Sequence, residues 1–118
     1  MEISRLYRNF GYVDEYSALG AVWMSENLNI TKPNLYADSP SLYNVLTSYG
    51  MIYRGFIKIP VNTTNLSPAD LLYLSAVNTQ EGIMFSGTTS WNLTDMSFNL
   101  NNLNKLYTNG RCEIFEDP

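Results

Sequence analysis

Residues 93–110, LTDMSFNLNNLNKLYTNG, decide between two very different folds for this chain. Apolar side chains and one asparagine stand at positions 93, 96, 98, 101 and 103, a spacing that some solenoid proteins repeat along their length. If the spacing recurs, the chain is a stack of similar units with an extended binding surface. If it does not, the stretch is one strand followed by one helix in an ordinary globular domain.

The spacing, which is that of a leucine-rich repeat, does not recur. One repeat length back along the chain, Leu71 and Leu74 occupy apolar positions, but Thr79 replaces the asparagine. A stable solenoid needs about three or more units, and the second copy already fails here. The stretch therefore predicts a strand over residues 91–98 and a helix over residues 100–107.

The order of the patterns along the chain predicts an α+β fold. Residues 1–118 are predicted to form a single small domain, with about four short helices packed on a small mixed or antiparallel sheet. Apolar residues at helical spacing predict helices over residues 14–28, 40–49, 68–77 and 100–107. Runs rich in β-branched and aromatic residues predict strands over residues 51–61, 81–87, 91–98 and 111–115.

Capping residues set the predicted helix boundaries. Asp14, Ser39 and Ser67 are the predicted N-caps, and a proline follows each serine at the first helical position. Asp70, three residues after Ser67, approximates a capping box. Two glycines stand where a helix needs a left-handed residue to stop, and these are Gly50 and Gly110.

Charged residues make up 15% of the chain and leave a net charge of −4. Arg5 and Arg8 are the only closely spaced basic pair, so no basic surface for nucleic acid is predicted. Asn, Ser and Thr total 34 residues and Tyr adds 9, which predicts an uncharged polar surface. Protein interfaces are likewise poor in Lys and Glu and rich in aromatic residues. A genome rich in A and T would give the same composition, and the sequence leaves both explanations open.

The chain contains no histidine and one cysteine, Cys112. The missing histidine removes the usual general base, the Ser-His and Cys-His triads and the commonest metal ligand. The five Asp do not fall at calcium-loop spacing, and no P-loop is present. We therefore predict no enzymatic activity, no cofactor, no metal site and no small-molecule substrate. Cys112 is expected to be a buried and inert thiol in the last strand.

The stretch SRLYRNFGYVDEY near the N-terminus combines arginine with aromatic residues. Arg and Tyr together are typical of the residues that dominate protein–protein binding energy. The predicted interface candidates are Arg5, Tyr7, Arg8, Tyr12 and Tyr16. The alternative is that this segment folds onto the core of its own domain.

The sequence predicts a non-enzymatic subunit that acts by protein–protein contact within a larger homo- or hetero-oligomeric assembly. A structural component of a viral or phage particle is the favoured form, without a nucleic-acid or membrane partner. No secretion signal or spanning segment is visible, so the virion or the host cytoplasm is the expected location. The alternative is a small acidic inhibitor or immunity protein that blocks a partner enzyme, using its acidic end EIFED.

Overall fold

A five-stranded mixed sheet forms the centre of the computed structural model, which describes residues 14–30, 34–61, 63–87 and 89–118. In chain order the strands are β1 (Leu35–Tyr36), β2 (Ile57–Lys58), β3 (Leu71–Leu74), β4 (Ile83–Ser86), β5 (Thr89–Asn92), β6 (Asn104–Thr108) and β7 (Glu113–Glu116). The sheet order is β2-β1-β3-β7-β6. Strand β1 is parallel to β2 and β3, whereas β7 is antiparallel to β3 and β6. Strands β4 and β5 form a separate antiparallel hairpin.

Two α-helices and one π-helix are the longer helical segments of the described residues. They are α1 (Glu15–Asn27), the π-helix (Ser41–Leu46) and α2 (Ala76–Glu81). Three short 3₁₀ turns accompany them, at Arg54–Phe56, Leu93–Asp95 and Leu100–Asn102. The four predicted helices are therefore an overcount, and the described residues form seven short strands where the sequence predicts four longer ones.

Two hydrophobic clusters pack on opposite faces of the sheet. On one face α1 and the π-helix contribute Met24 and Leu46, which pack with Tyr73 of β3. On the other face Leu72 and Leu74 of the same strand pack against the β4–β5 hairpin through its buried Met84. Because β3 is covered on both faces, all four of its residues are buried. The described residues thus form one small domain of mixed helix and sheet content, as the sequence predicts.

Local capping explains where α1 and α2 begin and end. Asp14 caps α1 as predicted, because its Oδ1 accepts a hydrogen bond from the Ser17 amide at 2.8 Å. A full capping box starts α2, in which Ser75 and Asn78 satisfy each other's backbone amides. Gly82 ends α2 with a left-handed φ of 69°.

The predicted helix over residues 68–77 is wrong, because residues 71–74 form strand β3 and helix α2 begins only at Ala76. Pro68 and Ala69 instead form the centre of a turn, closed by a 2.9 Å hydrogen bond from the Asp70 amide to the Ser67 carbonyl. Ala69 has a φ of +72°, which fits the third position of a type II turn that proline opens. A Ser-Pro pair starts helices and turns alike, and the following run is too uniformly apolar to show a period.

The predicted helix over residues 100–107 is also wrong, because its second half is strand β6. A β-bulge between Lys105 and Tyr107 shifts the pairing with β7. The bulge interrupts the two-residue alternation of a strand, so that Leu106 and Tyr107 are both half-buried. Apolar residues at 103, 106 and 107 therefore imitate helical spacing. Gly110 does adopt a left-handed φ of 96°, but in the β6–β7 turn.

Three smaller predictions are corrected near the π-helix and the hairpin. Only Ile57–Lys58 of the predicted strand over residues 51–61 is strand, and the predicted strand over residues 91–98 ends at Asn92. Asp38, rather than Ser39, caps the start of the π-helix. Its backbone carbonyl accepts a hydrogen bond from the Leu42 amide, and its Oδ1 accepts one from the Ser41 amide.

Gly50 does not supply the left-handed stop, since the positive φ of 55° belongs to Met51. A Cβ on Gly50 would lie 2.8 Å from the Leu46 carbonyl oxygen, so glycine is needed there for close packing. Within the described part of the chain, no helix combines the length and the apolar character needed to cross a bilayer.

Candidate interaction surface

The most concentrated polar chemistry of the described residues is a buried cluster that we call the polar junction, formed by Asp38, Ser39, Ser75 and Asn78. Asp38 lies just after β1 and is fully buried. Its Oδ2 accepts from Asn78 Nδ2 at 2.8 Å and from the Phe85 amide at 3.2 Å. Asn78 Oδ1 in turn accepts from the Ser75 amide at 2.9 Å. The junction therefore joins β1, α2 and β4 through side chains.

The polar junction also replaces a neighbouring strand along the outer edge of β4. Asn78 Nδ2 donates to the Ile83 carbonyl at 2.8 Å, and the Gly87 amide donates to Ser39 Oγ at 2.8 Å. With the Phe85 amide bound to Asp38, three backbone groups at alternate residues of this edge are satisfied. Unpaired backbone groups are costly to bury, so these side chains allow the hairpin to pack without a strand beside it.

The chemistry of the polar junction is that of a structural contact. Burial raises the pKa of Asp38, while the hydrogen bonds from Asn78 and Ser41 act in the opposite direction. Throughout the described ranges, no buried side-chain nitrogen or oxygen lacks a hydrogen-bond partner. A fully satisfied and fully buried carboxylate has no free lone pair to offer a substrate. The same ranges contain no cluster of three or more potential metal ligands.

A contrasting region lies on the surface beside the π-helix. We call it the tyrosine surface, and it consists of Tyr43, Tyr49, Met51, Tyr53 and Arg54. These side chains come from the π-helix and from the chain that follows it, and all five residues are exposed. Met51 is 81% exposed and Tyr53 is 67% exposed, which is unusual for large apolar side chains.

Aromatic contacts hold part of the tyrosine surface in place. The Arg54 guanidinium lies 5.7 Å from the centroid of the Tyr43 ring, within range of a cation–π interaction. Tyr53 meets Phe56 edge to face, with their ring centroids 5.3 Å apart. An open groove of about 560 Å³ lies among these side chains, and Thr47 and residues 51–55 line it. Of the three tyrosines, Tyr53 therefore faces the groove, and Tyr43 lies beside it against Arg54.

Met51 holds a strained backbone conformation at the centre of this surface. Its φ of 55° is left-handed, a conformation that costs a residue other than glycine about 1–2 kcal/mol. The Ile52 amide donates to the Leu46 carbonyl at 3.1 Å and so fixes the chain on the far side of Met51. The strain displays an apolar side chain to solvent, and backbone strain of this kind concentrates at functional sites.

Of the predicted interface candidates, only Tyr16 lies within the described residues; Arg5, Tyr7, Arg8 and Tyr12 lie outside them. Tyr16 is 40% exposed on the first turn of α1. The Arg111 guanidinium lies 4.9 Å from the centroid of the Tyr16 ring. The Tyr16 carbonyl accepts a 2.8 Å hydrogen bond from Asn109 Nδ2. Tyr16 therefore contacts the β6–β7 turn and is not part of the tyrosine surface.

Cys112 is buried, as the sequence predicts, but it lies one residue before the last strand, β7, and packs directly against α1. A Cβ on Gly20 would fall 2.3 Å from its Sγ, so the glycine permits the close approach of helix and strand. Burial is the main cause that raises the pKa of the Cys112 thiol, to about 12. The thiol is thus held in its unreactive protonated form.

Sequence reasoning missed the tyrosine surface because no sequence pattern reports the exposure of a side chain. The sequence predicts residues 51–54 as part of a strand and Tyr49 as the last residue of a helix. Met51 has a left-handed backbone, and nothing in the sequence around this methionine signals that conformation. No family model, no curated protein and no solved structure matches this chain.

Proposed function

We propose that this protein is a non-enzymatic subunit that acts by protein–protein contact within a larger assembly, through the tyrosine surface. A structural component of a viral or phage particle is the form that the sequence favours. The observation that carries the proposal is the exposure of Tyr43, Tyr49, Met51 and Tyr53 beside Arg54. Tyr, Met and Arg are the residue types enriched at interfaces, and Lys and Glu are depleted there.

The energetics of these side chains support the proposal. Tyrosine and arginine anchors carry most of the binding energy in typical interfaces, and tyrosine buries a large area with only two side-chain torsions. Arg54 has no ion pair with any described residue, so its charge is available to a carboxylate of a partner. The groove beside Tyr53 gives that partner a depression to fill.

The alternative function, a small acidic inhibitor or immunity protein, rests on the net charge of −4, and the acidic end EIFED is the segment considered to contribute to it. Most of the acidic end EIFED forms β7, in which Ile114 and Phe115 are buried. Glu113 lies 3.1 Å from Lys105 in an ion pair. These contacts commit the segment to the sheet, so the contact surface is better sought at the tyrosine surface.

The proposal is tested by light scattering during size-exclusion chromatography of the purified chain, alone and mixed with the products of neighbouring genes. We expect a complex with one of these products, and we expect Tyr53→Ser to weaken it by at least about tenfold, as loss of an interface anchor does. Val61→Ser is the matched control, because Val61 is also exposed, at 47%, but lies outside the tyrosine surface. A chain that joins no neighbour, or a complex that both substitutions affect equally, would contradict the proposal.

A further inference from the structure

The strand edges of the described residues differ in how they are protected. Strand β6 carries Lys105 and a bulge, both of which discourage pairing with another chain. Strand β2 has only two residues, and Pro60 follows it closely. The outer edge of β4 is occupied by the polar junction. Strand β5, with the sequence TSWN, has none of these protections and no charged residue.

The register of the hairpin shows which groups of β5 point outward. In β4, the Ile83 carbonyl and the Phe85 amide bond away from β5 to the polar junction. Since neighbours in a strand alternate, Met84 pairs inward with its partner, Trp91. The backbone groups of Ser90 and Asn92 must therefore point away from β4. Both residues are exposed, so this edge is open to another strand.

We propose that β5 is a self-association edge, on which the β5 strand of a second copy of this chain pairs in antiparallel orientation. A two-fold axis at Trp91 places Ser90 of one copy opposite Asn92 of the other, and the reverse. All outward groups of both residues then form hydrogen bonds, and the two hairpins become one four-stranded sheet. The arrangement is a closed two-fold dimer, in which the same patch is used by both copies.

The chemistry of the edge favours a second copy as its occupant. Trp91 would lie opposite itself at a position without hydrogen bonds, where side chains of the two strands are closest. Trp91 is half-buried beside Met84 and Met96, so part of each ring remains available for this contact. The strand itself carries no charge to repel its copy across the axis, although the chain has a net charge of −4. This edge is separate from the tyrosine surface, and neither proposal depends on the other.

Sedimentation equilibrium of the full chain over a range of concentrations tests the proposal. We expect the apparent mass to rise from 13.4 kDa toward twice that value. Ser90→Pro removes an outward amide from each copy and should raise the dimer dissociation constant at least about tenfold. Ser90→Val, which keeps the amide, should dimerise as the wild type does. Ser90→Lys is a second disrupting variant that leaves the backbone donor in place and adds charge near the axis.

Hydrogen exchange supplies a readout that does not depend on these variants. The amides of residues 90 and 92 should become protected as the concentration rises, whereas those of β6 should not change. Three results would overturn the proposal: a monomer at every concentration, a dimer that Ser90→Pro leaves intact, or a polymer that keeps growing. A dimer lost on Tyr53→Ser but not on Ser90→Pro would assign self-association to the tyrosine surface instead.

Discussion

Folded proteins usually bury apolar side chains and expose polar ones. The polar junction and the tyrosine surface depart from this rule in opposite directions. The junction buries a carboxylate and an amide, and every polar atom of the pair finds a partner. The tyrosine surface exposes large side chains, and Met51 within it has a strained left-handed backbone. The buried polar groups of the junction find hydrogen-bond partners within the domain, whereas the exposed side chains of the surface find no covering partner among the described residues. The difference supports a structural role for the junction and is the reason for proposing the surface as a contact with another protein.

The largest expected effect is on the junction side of this comparison. Asp38→Ala leaves the Ser41 and Phe85 amides and Asn78 Nδ2 without their acceptor in a buried site. We expect a loss of about 3 kcal/mol or more in the free energy of unfolding, measured by urea denaturation. Asp95→Ala is the matched control, because Asp95 is exposed, and it should change stability by less than about 0.5 kcal/mol.

A double-mutant cycle shows whether the junction acts as one unit. Asn78→Ala alone removes donors to Asp38 and to the Ile83 carbonyl, so about 2–3 kcal/mol should be lost. Combined with Asp38→Ala it should cost clearly less than the sum of the two single losses, because they share a hydrogen bond. Strict additivity would show that the two side chains act independently.

The pH dependence of stability probes the same carboxylate with a smaller effect. Burial raises the pKa of Asp38 in the folded state above its ordinary value of 3.8, so the folded chain binds this proton more tightly than the unfolded chain. The stabilisation from Asp38 is therefore complete below pH 3.8 and is lost as the pH rises through the folded-state pKa. Relative to Asp38→Asn, the wild type should lose stability over that interval. Parallel stability curves for the two proteins would contradict the shift.

The tyrosine surface should respond with the opposite sign. Met51→Gly relieves the left-handed strain, and the greater flexibility of glycine in the unfolded chain offsets part of that gain. We expect a net gain of about 0.5–1 kcal/mol in unfolding free energy, together with weaker binding to the partner. Ala69→Gly is the matched control, since Ala69 is also left-handed with a φ of 72°, and it should stabilise without affecting binding. A Met51→Gly protein that is less stable than the wild type would show that the backbone of Met51 is not strained.

The predictable parts of the fold depend on local contacts, and the rest depends on distant ones. Asp14 and the strand around Met84 are recognisable because the cap and the hairpin lie within a few residues. The central strand β3 is not, because burial on both faces removes the alternation that identifies a strand. Asp38 and Asn78 are 40 positions apart, and only the completed fold brings them together. Nothing in the sequence around Asp38 or Asn78 predicts the hydrogen bond between them.

The candidate site was less predictable than the fold. Composition predicts a Tyr-rich contact protein, and the sequence-based candidates lie in the N-terminal stretch, of which the described residues include only Tyr16. That choice used the coincidence of arginine and tyrosine in sequence, whereas Arg54 and Tyr43 meet only in space. Exposure depends on the whole fold, and the left-handed backbone of Met51, which is part of this surface, has no signal in the sequence.

The most direct test of the central claim measures the mass of the complex formed with the product of a neighbouring gene, for the wild type, Tyr53→Ser and Val61→Ser at equal concentrations. Each variant is first shown to unfold within about 1 kcal/mol of the wild type, as exposed substitutions do. We predict a complex for the wild type and for Val61→Ser, and a separate, folded chain for Tyr53→Ser. An intact complex with Tyr53→Ser would contradict the assignment of the tyrosine surface as the contact that this protein uses.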